Sequence, residues 1–236
     1  MTMPLKRSAL HHRHVAMAAA MVRDRGWECP AQYGPPEAEL RAARERVAVG
    51  DISPVGKLDV KGKRLAAALE GLCALGVLPA LGVAQRVSGG SAGVEALCCR
   101  LGSDRAVLLA EPDGAAALAT AFERQAAGGH ACAHLTDLTS TWAGVHVVGP
   151  RSGDLLRKVT ALDLSRDRFA DLACAQAGVA SAHAFIVRAD VAGVLAYQVY
   201  CGRELAEHLW DTLLDAGAEF DAVPLGLMAQ RRLAEG

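Results

Sequence analysis

The sequence predicts an α+β fold, with mixed sheets covered by helices. Three observations predict it. Apolar runs bounded by turn residues, notably 94–100 and 106–110 joined by Gly102-Ser103-Asp104, read as a hairpin. Alanine- and leucine-rich stretches of helical period alternate with such runs along the chain. Hydrophobic residues make up 52% of the 236, against 4% aromatic, so a large core must be built mostly from Ala, Leu and Val. One domain over 1–236 is expected, with two intertwined subdomains as the other arrangement that this length allows.

The elements follow in order. Residues 10–22 read as a helix containing His11, His12 and His14. His11 and His14 are three apart and share a face, but without a third ligand they suit solvated or capping roles better than a metal. Gly26-Trp27 and Pro35-Pro36 bracket a loop. Residues 37–49 place acids first and arginines later, as the helix dipole favours, and Gly50 is the expected stop. Val55, Leu58 and Val60 head a short strand that Gly62 ends. Residues 62–75 form a helix with Leu65, Leu69 and Leu72 on one face, and 76–93 form a breaker-rich connection. After the hairpin come a helix over 115–127, strands over 130–136 and 144–148, and a helix over 151–159. Strands over 184–187 and 194–200 and helices over 205–216 and 227–235 close the chain.

Composition excludes several classes. The net charge is -1, from 25 basic and 26 acidic residues, which lacks the surplus that a nucleic-acid or membrane-surface binder needs. Seven cysteines, an odd number with no Cys-x-x-Cys, argue against a disulfide framework and for a reducing cytoplasm. The apolar run at 17–21 is too short to span a membrane, and Arg23, Asp24 and Arg25 break it before a cleavage site, so no signal peptide is expected. No serine sits in a nucleophile elbow, and no phosphate-binding glycine loop is present.

The stretch 26–62 carries the strongest pattern. Gly26-Trp27, Pro30, Gln32-Tyr33, Asp51, Ser53, Gly56-Lys57, Val60 and Gly62 fall in the register of a Gly-Trp-x-x-Pro-x-Gln-Tyr loop, a charged helix and an Asp-x-Ser-x-x-Gly-Lys-x-x-Val-x-Gly turn. This resembles the opening of the glycine-cleavage T-protein (aminomethyltransferase, folate-binding) family. The likeness extends through 142–156, 209–217 and Pro224-Leu225-Gly226-Leu227. It implies T-protein-like mixed sheets with covering helices. The chain is read as a short form without the family's C-terminal barrel domain.

The resemblance also implies where chemistry should lie. T-proteins hold tetrahydrofolate by a carboxylate and a guanidinium on the pterin, with an acid near the transferred carbon. Here Glu95 matches one member of the family's acid pair and is the expected catalytic residue. Tyr33, Asp51, Arg86, Tyr197, Gln198 and Gln230 are the expected pocket residues. Three positions depart from the family. Arg86 replaces a tyrosine, Val194 stands where the pterin-bracketing glutamate is expected, and Gln230 stands for an arginine. Each lost partner weakens recognition by about 1–3 kcal/mol, so tetrahydrofolate binding is expected to be weak or absent. Arg86, Glu95, Tyr197, Gln198 and Gln230 form either a new polar site or a decayed pocket whose groups satisfy each other. Alternation puts Glu95 beside Leu97 and Cys99, which implies partial desolvation of its carboxylate.

His130, Cys132 and His134 alternate onto one strand face, with Asp137 nearby, and are the ligand types that zinc takes. An edge strand with a buried cysteine between solvated histidines is the better reading. Two functions follow from the resemblance. One is a T-protein-like one-carbon or amine-group transferase, or an enzyme reusing the folate-type pocket for another small molecule. The other is a non-catalytic small subunit resembling the gamma subunit of heterotetrameric sarcosine oxidase, partnered by a flavoprotein. Self-association is a further expectation.

Overall fold

A computed structural model describes residues 4–127 and 133–236. In chain order the elements are β1 (Lys6–Arg7), α1 (His11–Ala16), β2 (Ala20–Asp24), β3 (Trp27–Gln32), α2 (Pro36–Glu45), β4 (Ala48–Asp51), β5 (Gly56–Lys61) and α3 (Leu65–Cys73). They continue with β6 (Ala84–Gly89), β7 (Val94–Arg100), β8 (Arg105–Ala110), α4 (Pro112–Gln125), β9 (His134–Asp137), β10 (Trp142–Val148) and α5 (Ser152–Arg157). The last are β11 (Cys174–Val179), β12 (Ala182–Arg188), β13 (Ala196–Gly202), α6 (Ala206–Gly217), β14 (Val223–Leu225) and α7 (Leu227–Glu235).

Two compact units emerge. The first gathers 1–53, 142–171 and 176–236; the second gathers 54–141 and 172–175. In the first unit a six-stranded sheet runs β11-β12-β13-β10-β4-β14, beside a three-stranded sheet β1-β3-β2. The pair β10 and β13 is antiparallel with His146 opposite Gln198 and Gly144 opposite Tyr200. On its other side β10 pairs with β4, with His146 opposite Gly50. The second unit holds the five-stranded sheet β6-β7-β8-β5-β9.

The cores follow from strand alternation. In the second unit, Leu58, Val60, Cys98, Ala106 and Leu108 face Leu65, Leu69 and Leu72 of α3 and Leu118 of α4. In the first unit, Ala48, Val148, Ala196 and Leu225 pack with Ala43 of α2 and Ala229 and Leu233 of α7. Leu155, Leu156, Leu209, Trp210 and Leu213 of α5 and α6 are also fully buried. Burying a large aliphatic side chain contributes about 1.5–3 kcal/mol.

The largest departure from the sequence expectation is at 10–22. The alanines favour helix, but α1 ends at Ala16 and Ala18 takes φ 55. The chain then becomes β2, which pairs antiparallel with β3 in the stretch expected to be a loop. Tertiary pairing here overrides helix propensity. Gly50 is not a helix stop but an interior residue of β4. The 76–93 connection contains β6, and β11 is an additional strand. Of the expected strand over 130–136, His130 and Cys132 lie outside the described residues, and β9 starts at His134.

Candidate functional site

The predicted pocket residues occupy four distinct settings. Tyr33 and Asp51 share the first. β4 ends at Asp51, whose side chain is 3% exposed and has its oxygens engaged by protein groups. Ser8 donates its hydroxyl to Oδ2 at 2.6 Å, His14 Nε2 lies 2.8 Å from the same oxygen, and Ser53 N–H donates to Oδ1 at 2.8 Å. Tyr33 OH is 2.7 Å from His14 Nδ1. Trp210 closes the group, edge-on to His14 at 5.3 Å and stacked on Tyr33 at 6.5 Å. Burial pushes the Asp51 carboxyl up, but the His14 bond and charge and the two serine bonds outweigh it and hold it below its ordinary value. Burial, with Asp51 and Glu39, raises the Tyr33 phenol well above its ordinary value, so it stays protonated at its contact with His14 Nδ1. These bonds tie the segment 8–14 to β4 and the loop after β3. His14 was read as solvated or capping; it is fully buried against Asp51. Its partner lies 37 residues away, a distance that helical spacing cannot reveal.

Gln198 and Gln230 do come together, on one face of the six-stranded sheet. Between them lies His146, a residue the sequence hid inside an apolar strand. It is 8% exposed, and its Nε2 has no hydrogen-bond partner among the described residues. Gln230 neighbours the ring and donates to the carbonyls of Leu225 at 3.2 Å and Asp51 at 3.5 Å. Tyr200 OH donates to Gln198 Oε1 at 2.7 Å. Two glycines make this possible. A Cβ on Gly50 would stand 2.8 Å from Gln230 Nε2, and one on Gly144 would stand 2.7 Å from the Tyr200 ring. Burial lowers His146 to about 4 against the opposing pull of the Gln230 bond, so the ring is neutral near pH 7.

Tyr197 is one residue from Gln198 and therefore faces the other side of the sheet. It is 1% exposed and stacks on Phe169 at 6.3 Å, with its phenol raised by burial. It does not join the Gln198 cluster, because strand alternation forbids it. Val194 packs against the apolar cluster of α2, α7 and β14. The turn before β13 is fixed by a bidentate pair, Arg188 Nε to Asp190 Oδ1 at 3.0 Å and Nη2 to Oδ2 at 2.8 Å.

Arg86 and Glu95 belong to the second unit. Arg86 is opposite Leu97 and Ser88 is opposite Glu95 in the β6–β7 ladder, so the two charges are diagonal neighbours on one face. Both are exposed. The expected desolvation of Glu95 is corrected by this: it sits near the hairpin end of β7, where Leu97 and Cys99 are already covered but Glu95 is not. Of the zinc candidates, only His134 is described; it is exposed, and Asp137 lies at the far end of β9. Among the described residues no group of three metal-ligating side chains occurs. An open depression of about 760 Å³ in this unit is lined by Lys63, Arg64, Phe122, Glu123 and His134 among others, and not by Arg86 or Glu95. The described cysteines are all free and buried, as small apolar residues would be.

Comparisons with known proteins fit this architecture. Residues 10–235 match the GCVT N-terminal domain family. An aminomethyltransferase of Rubrobacter xylanophilus is 30% identical over 241 residues, covering 97% of this chain and 60% of that protein. One from Streptomyces avermitilis is 28% identical, covering 97% and 62%. The chain thus spans about 60% of the length of these curated relatives. Among solved structures, glycine cleavage system aminomethyltransferase T from Bartonella henselae superposes with a TM-score of 0.84 at 21% identity, over 98% of this chain and 62% of that one. A chain of the heterotetrameric sarcosine oxidase from Corynebacterium sp. U-96, a complex with pyrrole 2-carboxylate, gives 0.63 at 22% identity, over 92% and 97%. At these identities the two structures speak to the fold alone, while the match over 10–235 settles the family: the chain belongs to the GCVT N-terminal domain family.

Proposed function

We propose that this chain serves one-carbon or amine-group transfer, with a small-molecule site on the α7-covered face of its six-stranded sheet in place of charge-bracketed pterin contacts. The observation that carries this reading is the convergence of Gln198 and Gln230 on His146, next to Val194 in its apolar packing. That set offers neutral hydrogen-bonding groups and no carboxylate–guanidinium bracket. Tetrahydrofolate is accordingly a weak ligand in this reading, and another small molecule takes the pocket. Glu95, with Arg86 as its charged neighbour in the second unit, is a separate candidate for proton transfer.

A thermal-shift screen of folates, amines and amino acids tests the reading. A ligand should stabilise the wild type and lose its effect in Gln230→Leu. With that ligand in hand, Glu95→Gln should cut turnover by about 10²–10⁴-fold while the melting temperature holds. A ligand that stabilises wild type and Gln230→Leu equally would remove this face from the site. Micromolar tetrahydrofolate binding by calorimetry would overturn the view of the pocket.

A second reading is favoured by one observation, the match over 97% of a sarcosine oxidase chain. In it the chain is a non-catalytic subunit of an oxidase assembly with a flavoprotein. Co-purification of a flavin-containing partner, with Glu95→Gln leaving activity of the assembly unchanged, would favour it over the first.

A further inference from the structure

The second unit carries a depression that the proposed function does not use. Its volume of about 760 Å³ is that of a small-molecule site. The lining residues all belong to the segment 54–141. They come from the turn between β5 and α3, the second half of α4 and the start of β9. Phe122 and Ala126 are four apart on α4 and share a helix face. Phe122 and Leu135 rest on the core of this unit but stay half-buried, and they line the depression. The turn is held in place: Gly62 N–H donates to the Asp104 carbonyl at 2.8 Å, and Arg105 Nε donates to Asp59 Oδ1 at 2.8 Å. The ionisable lining is mostly basic, with Lys63, Arg64 and His134 against the single acid Glu123. Among the described residues neither Lys63 nor Glu123 has an ion-pair partner. Lys61 stands directly opposite both His134 and Arg105 in the ladder, so the cations continue beyond the lining. The start of α3 adds the same sign, having no side-chain cap and no acid in its first turn.

We infer that this depression binds a small organic monoanion with an apolar body: the body lies on Phe122, Ala126 and Leu135, and a carboxylate head pairs with Lys63. Covering the apolar lining supplies attraction without direction. The charges supply orientation and choice of ligand. Arg64 and Lys61 raise the positive potential around the head, and the His134 imidazole offers it a hydrogen bond. An amphiphile with an ammonium head meets like charge there. A neutral one keeps only the apolar contact. Glu123 narrows the class further, because its carboxylate repels a second negative charge on the ligand. A carboxylate is therefore preferred to a phosphate monoester with the same body. The site shares no residue with the α7-covered face and stands or falls separately from the proposed function.

The test is calorimetric titration of the full chain at pH 7 with four probes of one body: 2-naphthoate, 2-naphthol, 2-naphthyl phosphate and 2-naphthylmethylammonium. 2-Naphthoate should bind about tenfold or more tightly than 2-naphthol, and its affinity should fall as salt rises. Lys63→Glu changes an exposed residue and should weaken 2-naphthoate by about tenfold while leaving 2-naphthol nearly unchanged. Ala126→Trp fills the apolar part and should weaken both. Glu123→Gln should raise the affinity for 2-naphthyl phosphate more than for 2-naphthoate. If Ala126→Trp fails to fold, the two charge variants still decide. Equal binding of 2-naphthoate and 2-naphthol would mean an apolar surface without anion recognition, and would overturn the inference. So would 2-naphthoate binding that survives Lys63→Glu unchanged, since the probe would then sit elsewhere, and so would no binding of any probe at millimolar concentration. Tighter binding of the phosphate than of the carboxylate would overturn the preference assigned to Glu123.

Discussion

Two histidines of the first unit make an instructive pair. His14 and His146 are both buried beside polar neighbours, and both approach β4. At His14 both ring nitrogens are engaged, by Asp51 and Tyr33, and the carboxylate it meets is further bonded by Ser8 and Ser53. At His146 Nε2 has no partner among the described residues. A histidine with both nitrogens engaged fixes structure, since neither is left for a ligand to satisfy, although the Trp210 indole N–H beside it has no partner among the described residues. An unsaturated one carries a cost that only water or a ligand relieves. The two sites therefore predict opposite sensitivities: the first to any loss of a partner, the second to what is added.

The largest expected effect lies at the first site. Asp51→Ala removes the acceptor for Ser8, His14 and Ser53 at once and leaves their buried groups without it. The cost should be about 3–5 kcal/mol, read from urea unfolding midpoints. The segment 8–14 should also become protease-sensitive, because its bonds to β4 are gone. A loss below about 1 kcal/mol would show that the network is incidental and that Asp51 is available for other work.

The second effect is pH dependence at His146. Its folded pKa of about 4 lies below the ordinary value of 6.5, so the unfolded chain binds the proton more readily. The stabilising contribution is fully present above pH 6.5 and is lost as pH falls to about 4. The difference of roughly 2.5 units, at 1.36 kcal/mol each, gives about 3 kcal/mol at most. Asp51 also loses stability in acid, but its depressed value places that loss lower, as pH falls through the folded value below the ordinary carboxylate range. Unfolding midpoints between pH 7 and 4 should fall in wild type and flatten in His146→Leu. Parallel curves would show that another group controls this window.

The two sites also differ in how legible they were. Gln198 and Gln230 were found because the resemblance pointed to their positions. His146 was not, since a single polar residue in Gly144-Val145-His146-Val147-Val148 reads as a strand and nothing more. The His14–Asp51 pair was hidden by its sequence separation, and by the alanines that extended the helix reading past Ala16. Strong local signals survived well. The last helix spans 227–235 as its composition implied, and the hairpin of β7 and β8 lies where turn residues placed it. Gly50 misled because the sequence shows a glycine but not why it is needed. Its missing side chain makes room for Gln230, a contact across 180 positions. β11 has only Ala and Gly between its end residues Cys174 and Val179, with one Gln, so it lacks the alternation that marks a strand.

The smallest effect sharpens the comparison most, because the same atom is removed on both sides. Tyr33→Phe and Tyr200→Phe each delete one hydroxyl. The first leaves His14 Nδ1 without its partner in a closed group, at a cost of about 1–3 kcal/mol. The second frees Gln198 Oε1, which is half-buried and can turn to water, so about 0.5–1 kcal/mol is expected. Stability alone would make Tyr200 the lesser residue. Its larger role should appear in binding. Without the tyrosine hydroxyl, the bond that orients the Gln198 amide at the proposed site is gone. The affinity for a ligand found in the thermal-shift screen should then fall several-fold in Tyr200→Phe and stay unchanged in Tyr33→Phe. Paired unfolding and titration measurements on the two variants decide the matter. Equal binding by both would mean that the Gln198 orientation is set elsewhere, and the distinction between a saturated and an unsaturated histidine would lose its functional meaning.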